Sequence, residues 1–233
     1  MSGGIAATIG HCTQLKILNL AHNSLEGSIP SKIFKISSLS EELDLSHNYL
    51  SGGIPEEVGN LINLNKLSIS NNRLSGTIPS APGQRMLLEH LEMQSNYFEG
   101  SIPQSFANLV GITEMDISQN NLSGEIPEFF TSYRSLHHIN LSFNNFDGAA
   151  PRGGIFYIAG AVSIAGNDHL CTNVSTQHMP LCSTFIDRKV KHKVLGYGTK
   201  DNNTNCCGCY YYFFLSGNNS LQEENASKAT NIA

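Results

Sequence analysis

The chain has 233 residues, enough for one elongated domain and a tail, and its 14 basic and 19 acidic side chains give a formal net charge of −5. A nucleic-acid groove needs a basic face, so this charge balance argues against one. The sequence has no apolar run of about 18 residues that would predict a transmembrane helix. Its first residues, MSGGIAATIG, lack the basic and apolar segments of a signal peptide.

From residue 18 onward, one short sequence motif occurs six times, first as 18-LNLAHNSLEGSIP-30 and last as 139-INLSFNNFDGAAP-151. Each copy has an asparagine at the same place, and successive asparagines are 25 or 24 residues apart. These asparagines are Asn23, Asn48, Asn72, Asn96, Asn120 and Asn144. A period of about 20–29 residues with this leucine spacing is typical of leucine-rich repeats.

Each copy contains an L-x-L pattern, whose period of two predicts a short strand with one buried face. The residues predicted to point inward are Leu18 and Leu20, Leu43 and Leu45, Leu67 and Ile69, Leu91 and Met93, Met115 and Ile117, and Ile139 and Leu141. No single copy can bury such a face, so stacking of neighbours predicts a solenoid. The repeated asparagine is expected to turn inward and to satisfy backbone groups at the bend that follows the strand.

The end of each copy reads G-x-I-P, as in 27-GSIP-30 and 124-GEIP-127. With this ending the sequence resembles the plant-specific class of leucine-rich repeats, from about Gly3 to Cys182. That class belongs to the ectodomains of plant receptor-like kinases and receptor-like proteins. The resemblance implies a curved, right-handed superhelix with short parallel strands on its concave face and an irregular or 3-10 convex side. It also implies a second short sheet around L-x-G-x-I-P.

Three regions are predicted: repeats at 1–151, with one partial and six full copies; a C-terminal cap at 152–187; and an irregular, disordered tail at 188–233. Ile5 lies 24 residues before Ile29, so the chain begins inside a repeat. Solenoids normally need a polar cap at each end. We therefore expect a fragment, or a partial gene model, of a longer receptor.

The segment after the last repeat resembles the closing segment of these ectodomains, and Cys171 and Cys182 match its cysteine pair. The resemblance implies a disulfide that would stabilise the cap by about 2–4 kcal/mol and an oxidising compartment. Two free thiols in a cytosolic protein are the alternative. Ala150 and Tyr157 depart from the usual pattern, so the last repeat is slightly degenerate.

The tail has no repeat phase, and residues 196–215 read GYGTKDNNTNCCGCYYYFFL. If the codons of this stretch end in T, a reading frame shifted by one base would encode an apolar span instead. We therefore hypothesise a frameshift or a mis-spliced exon around Leu195. Cys206, Cys207 and Cys209 do not have zinc-site spacing, and no second pair follows. No metal or other cofactor is predicted.

The strand residues that point away from the core would line the concave face of the solenoid. Aligned by the repeat, six of them form a mainly acidic cluster: Glu42, Asp44, His90, Glu92, Glu114 and Asp116. This acidic cluster would suit a basic peptide or a basic protein surface. An ordinary solvated polar face is the alternative.

Three N-x-S/T motifs, at Asn121, Asn140 and Asn173, are predicted glycosylation sites in the repeats and cap. Asn140 lies on a concave strand, where a glycan would obstruct a ligand. Further matches, at Asn202, Asn218 and Asn225, lie in the tail.

The sequence contains none of the kinase, hydrolase or P-loop motifs that we would expect of an enzyme. We therefore predict a non-catalytic interaction module, part of a plant receptor-like kinase ectodomain in defence or developmental signalling. Its partners would be a peptide or protein ligand and a co-receptor, and its place the extracellular face of the plasma membrane. A soluble inhibitor of the polygalacturonase-inhibitor type and a non-functional gene fragment are the alternatives.

Overall fold

The fold is that of a leucine-rich repeat solenoid, as predicted. A computed structural model describes residues 1–80, 86–172 and 180–182, and it contains fifteen short strands, β1–β15 in chain order, in two parallel sheets. Even-numbered strands form one sheet and odd-numbered strands form the other, so each repeat contributes one strand to each.

The first sheet has seven strands, and its solvent side is called the concave face below. Its strands are β2 (Ile17–Asn19), β4 (Glu42–Asp44), β6 (Lys66–Ser68), β8 (His90–Glu92), β10 (Glu114–Asp116), β12 (His138–Asn140) and β14 (Val162–Ser163). Equivalent residues of successive repeats stand opposite one another, as Leu43 does to Leu18 and to Leu67. The 24-residue period of the sequence is therefore the register of the sheet.

The strands of the second sheet contain the L-x-G residues of each repeat, as the resemblance implied. Its eight strands are β1 (Ser2–Gly3), β3 (Ser24–Gly27), β5 (Tyr49–Gly52), β7 (Arg73–Thr77), β9 (Tyr97–Gly100), β11 (Asn121–Glu125), β13 (Asn145–Ala149) and β15 (His169–Cys171). Its outer side is called the lateral face below. The glycine of each copy has a positive φ, for example +79° at Gly76, a conformation that side chains disfavour.

Short 3-10 helices form the side of the solenoid opposite the concave sheet. They are Ala7–His11, Ser31–Lys35, Glu56–Asn60, Gln104–Asn108, Glu128–Ser132 and Gly154–Tyr157. Four of them begin directly after the proline of I-P, where φ lies between −61° and −69°. Proline favours this position because it presets φ and because the first N–H groups of a helix have no partner within the helix.

The core runs along the inside of the solenoid as one continuous cluster. Both members of each L-x-L pair are buried, except that Leu20 is only half-buried against the cluster. Leu20 follows β2, which has a strand on one side only in the sheet, so fewer neighbours cover it.

The repeated asparagines bind backbone groups within their own repeat and across to the previous one. Asn48 donates from Nδ2 to the carbonyls of Leu20, Leu45 and Ser46 at 3.0–3.1 Å, and its Oδ1 accepts from the N–H of Leu25 at 2.9 Å. The same pattern recurs at Asn72, Asn96, Asn120 and Asn144. Asn23 donates to the carbonyls of Leu20 and Ala21.

Asn167 makes the same contacts, although the sequence analysis did not include it in this series. Its Nδ2 donates to the carbonyls of Leu141 and Ile164, and its Oδ1 accepts from the N–H of Phe146. The cap therefore closes the solenoid with a seventh asparagine of the same kind. A shift in spacing, from 24 residues to the 23 that separate it from Asn144, hid this relationship.

The described part of the cap is tied to the last repeat. Strand β15 pairs with β13, and Cys171 and Cys182 are joined in a disulfide. The N–H of Thr172 donates to the carbonyl of Pro180, and the N–H of Cys182 donates back to Thr172. The predicted cap and tail include 183–233, which lie outside the described residues, as do Cys206, Cys207 and Cys209.

Candidate functional site

The sheet register brings the predicted acidic cluster together on the concave face. Glu42, His90 and Glu114 lie in one row across the sheet, and Asp44, Glu92 and Asp116 lie in the next row. Strand β6 separates the first member of each row from the other two and contributes Lys66 and Ser68 to these rows.

Lys66 lies inside the acidic cluster, although the sequence analysis did not count it as a member. Its Nζ is 3.2 Å from Oε1 of Glu42 and 4.0 Å from Oε1 of Glu92. Burial alone would lower the pKa of Lys66, but the hydrogen bond to Glu42 and the charges of Glu92, Glu42 and Asp44 outweigh it and raise the pKa. The alignment that defined the cluster also predicted the position of Lys66, because it lies in the same column as Glu42.

Asp44 and Asp116 are engaged by the bend that follows their strands. Oδ1 of Asp44 accepts from the N–H of Ser46 at 2.9 Å. Oδ1 of Asp116 accepts from the N–H and hydroxyl of Ser118 at 2.9 and 2.6 Å, and its other oxygen accepts from Nδ2 of Asn140 at 3.1 Å. These two carboxylates shape the turn, so they are less free to bind a ligand than their charge suggests.

Glu92 and Glu114 offer the more accessible carboxylates of the cluster. The side chain of Glu114 is 64% exposed, and its Oε2 lies 3.4 Å from Nδ1 of His90. Glu92 is 39% exposed and its only described ion pair is the long one with Lys66. Accessible carboxylates on adjacent strands can accept hydrogen bonds from the cationic side chains of a bound chain.

A second row runs along the end of the concave strands and was not predicted as a site. It consists of the residue before each repeated asparagine: His22, His47, Asn71, Ser95, Gln119 and Phe143, all with φ between 52° and 57°. Their side chains pair along the row: His22 stacks on His47 with ring centroids 4.2 Å apart, and Ser95 donates to Gln119 at 3.0 Å. The repeat places these residues in one row, but it does not show that His22 stacks on His47 or that Ser95 binds Gln119.

Asn121 and Asn140, two of the predicted glycosylation sites, lie on different faces. Asn121 begins β11 on the lateral face and is exposed, whereas Asn140 ends β12 on the concave face and is half-buried. Asn173 lies outside the described residues.

In the part of the chain that the structure describes, no group of three or more His, Cys, Asp or Glu side chains is arranged to hold a metal ion. In the same ranges no helix has the length and apolar character needed to cross a membrane.

Two family models match the repeats. One, described as leucine rich repeat, matches residues 62–122, and the other, also a leucine-rich repeat model, matches 14–36 and 41–61. The LRR receptor-like serine/threonine-protein kinase EFR of Arabidopsis thaliana is 43% identical over 61 residues. That match covers 26% of this chain but 6% of the relative, so the chain spans a small part of that receptor's length.

Solved plant receptor ectodomains have the same fold. PEPR1, in a structure described as PEPR1-AtPEP1, is 41% identical, with 64% of this chain and 21% of that chain covered and a TM-score of 0.60. GASSHO1/SCHENGEN3 from Arabidopsis thaliana, with CASPARIAN STRIP INTEGRITY FACTOR 2, is 30% identical, with 78% and 24% covered and a TM-score of 0.61. The Arabidopsis receptor kinase HAESA, with the peptide hormone IDA and the co-receptor SERK1, is 28% identical, with 75% and 33% covered and a TM-score of 0.62.

Proposed function

The repeats of this chain are leucine-rich repeats of the kind found in the ectodomains of plant receptor kinases, and from this premise we propose that the chain is a non-catalytic module that binds a peptide or protein ligand on its concave face. The observation that carries the proposal is the pair of exposed carboxylates, Glu92 and Glu114, on adjacent strands of that face. A rigid row of strands can bind an extended partner without reshaping, which limits the entropy lost on binding.

Support for a peptide ligand comes from the receptors that share the fold. The descriptions of three of them name a bound peptide or factor: AtPEP1, CASPARIAN STRIP INTEGRITY FACTOR 2 and IDA. The HAESA structure also contains a co-receptor. By this likeness the ligand of the present chain is a peptide, and a co-receptor is a second partner.

The ligand is further proposed to be basic near the centre of the concave face. The acidic cluster has five carboxylates. Among the described residues, the lysine that lies between them is Lys66, and it forms an ion pair with Glu42. Glu92 and Glu114 therefore keep negative charge that a lysine or arginine of the ligand can neutralise. Charge complementarity of this kind favours specificity and rapid association more than affinity.

The setting of this binding is proposed to be the plant cell surface, in defence or developmental signalling. The exposed concave face and the disulfide of the cap both fit an extracellular ectodomain. Signal transmission would fall to a kinase elsewhere in a longer receptor, because the repeats themselves supply only a binding surface.

The proposal is tested by selecting ligands from a random peptide library displayed on phage, with the full chain immobilised. We expect the selected peptides to be enriched in lysine and arginine. Glu92→Gln with Glu114→Gln should weaken their binding about tenfold, which corresponds to about 1.4 kcal/mol, and should lower the association rate more at low salt than at high salt. The charge-reversed double variant Glu92→Lys with Glu114→Lys should abolish binding while leaving the turn contacts of Asp116 in place.

The matched control is Glu99→Gln with Glu125→Gln, which removes two exposed carboxylates from the lateral face. This control should bind as the unmodified chain does. Equal losses in both double variants would mean that only net charge matters, and unchanged binding in the concave variants would place the ligand elsewhere.

A further inference from the structure

The lateral face carries a row of side chains at the first position of successive strands in the second sheet. These residues are Tyr49, Arg73, Tyr97, Asn121 and Asn145. Two pairs of neighbours in the row are in contact: the guanidinium of Arg73 lies 4.8 Å from the ring centroid of Tyr49, and Nδ2 of Asn145 donates to Oδ1 of Asn121 at 2.6 Å. This lateral row is exposed at Tyr97, which retains 64% of its accessible surface.

Asn121 is the member of the lateral row that begins an N-x-S motif, Asn121-Leu122-Ser123. Its Oδ1 is occupied by Asn145, but its Nδ2 donates to no acceptor among the described residues. The atom that N-glycosylation modifies is therefore exposed and free of described protein contacts, while the other atom of the same amide is held in place.

Asn140 begins an identical motif, Asn140-Leu141-Ser142, yet its amide is fully used. Its Nδ2 donates to Oδ2 of Asp116 at 3.1 Å and to Oγ of Ser118 at 3.2 Å, and its Oδ1 accepts from the N–H and hydroxyl of Ser142. A sugar on Nδ2 would displace these contacts on the concave face.

We propose that Asn121 rather than Asn140 carries an N-linked glycan, and that the first N-acetylglucosamine of this glycan packs against Tyr97. In the modification, Nδ2 of Asn121 loses one proton and forms a bond to C1 of the sugar, while the bond from C1 to the pyrophosphate of a lipid-linked oligosaccharide breaks and the lipid pyrophosphate leaves with the electron pair. This inference rests on the proposed function, because an extracellular ectodomain passes through the secretory pathway, where the lipid-linked oligosaccharide is found.

The surface beside Asn121 has room for a sugar. Asn121, Tyr97, Glu99 and Ser75 line one open groove of about 660 Å³, within the range of about 300–1,000 Å³ that is usual for small-molecule sites. No other aromatic or cationic side chain of the described residues stacks on the Tyr97 ring. The ring can therefore contact the C–H face of a pyranose, while Glu99 and Ser75 can accept hydrogen bonds from its polar groups.

A glycan at this position would cover the lateral face and leave the concave face open. Asn121 lies on β11 of the second sheet, whereas Glu92 and Glu114 lie on strands of the first sheet, so a sugar on β11 need not touch them. Glycosylation would thus restrict a ligand to the concave face rather than compete with it.

The test is to secrete the full chain from a eukaryotic cell behind an added signal peptide and to measure occupancy of each motif by glycopeptide mass spectrometry. Protein retained inside the cell is extracted and measured in the same way. In the secreted protein we expect high occupancy at Asn121 and little or none at Asn140, because the sugar is added before folding and a chain modified at Asn140 could not form the contacts of its Nδ2 with Asp116 and Ser118. An unmodified Asn121, or higher occupancy at Asn140 than at Asn121, overturns the proposal.

The contact with Tyr97 is tested by thermal unfolding. Ser123→Ala removes the motif but keeps Asn121, and we expect it to lower Tm by about 2–4 °C relative to the glycosylated chain. In a Tyr97→Ala background the same change should have no effect, whereas in a Tyr49→Ala background it should have its full effect. Equal effects in the two backgrounds would reject the role of Tyr97.

Peptide capture by the same preparations separates this proposal from the proposed function. Capture that fails while Asn121 is occupied would reject the ligand-binding function alone. Capture that succeeds while Asn121 is unoccupied would reject the glycan alone.

Discussion

Asn72 donates from Nδ2 to the carbonyl oxygen of Leu45 at 3.0 Å, across 27 residues of sequence. The same Nδ2 also donates to the carbonyls of Ile69 and Ser70, and Oδ1 accepts from the N–H of Leu50. One side chain thus satisfies backbone groups of two successive repeats. Because these groups are buried between strands, the asparagine is a structural joint of the solenoid rather than a ligand-binding residue.

We expect Asn72→Asp to lower the free energy of unfolding by about 1–3 kcal/mol. A carboxylate has almost the same shape as the amide, but it has no N–H to donate to the three carbonyls and would place negative charge against them. Urea unfolding measures the loss. Asn63→Asp is the matched control, since Asn63 is exposed in the same repeat and should change stability by less than about 0.5 kcal/mol. Equal losses would mean that added charge, not the lost donors, is responsible.

Gly154 lies at a close approach between the cap and the preceding repeat. A Cβ at this position would lie 2.1 Å from the carbonyl oxygen of Thr131, and the φ of Gly154 is +50°. We expect Gly154→Ala to destabilise the chain by about 2–4 kcal/mol, from overpacking together with an unfavourable φ. Thermal and urea unfolding would show the change.

Gly160→Ala is the control for Gly154→Ala. Gly160 also has a positive φ, +78°, but a Cβ there would meet nothing within 4 Å. Its cost should be limited to the conformational part, about 1–2 kcal/mol. If the two variants are equally destabilised, the contact with Thr131 is not the cause.

The disulfide should stabilise the cap mainly by restricting the unfolded chain. Cys171 and Cys182 are 11 residues apart, so a loop of this size predicts about 2–3 kcal/mol. Cys171→Ser with Cys182→Ser should lower the free energy of unfolding by that amount. Cys12→Ser, at an exposed free cysteine, should leave it unchanged. A double variant as stable as the unmodified chain would contradict a structural role for the bridge.

The environment of Lys66 raises the pKa of its ammonium group above the ordinary value for a lysine. The raised pKa means that the folded chain holds the Lys66 proton more tightly than the unfolded chain does. This ion pair therefore contributes stability below the unfolded lysine pKa of about 10.4, and the contribution is lost as the pH rises through the higher folded pKa.

The Lys66 titration can be followed by NMR of the lysine side chains. Glu42→Gln should lower the pKa of Lys66, because it removes the charge and weakens the hydrogen bond at 3.2 Å. Glu92→Gln should have a smaller effect, since that carboxylate lies 4.0 Å away. A Lys66 pKa that is unchanged by Glu42→Gln would rule out the pairing in solution.

Much of the fold follows from the sequence alone. Contacts between residues that are far apart in sequence recur at the spacing of the repeat, so the repeat predicts them. The spacing of Asn48, Asn72 and Asn96 predicted both the solenoid and the register of its first sheet, where each residue meets its equivalent in the next repeat. The alternation of Leu43 and Leu45 predicted which side chains are buried.

The candidate binding site could not be predicted fully from the sequence, because the repeat period does not specify the conformations of individual side chains. The alignment brought Glu42, Asp116 and Asn140 to the concave face, but only the tertiary structure showed which of their polar atoms are already engaged. Rotamers and turn contacts decided that Asp116 and Asn140 bind each other, and that Lys66 pairs with Glu42. The sequence by itself therefore determined the scaffold, because backbone register repeats, whereas the tertiary structure decided which groups remain free to bind, because hydrogen bonds and charges are satisfied one side chain at a time.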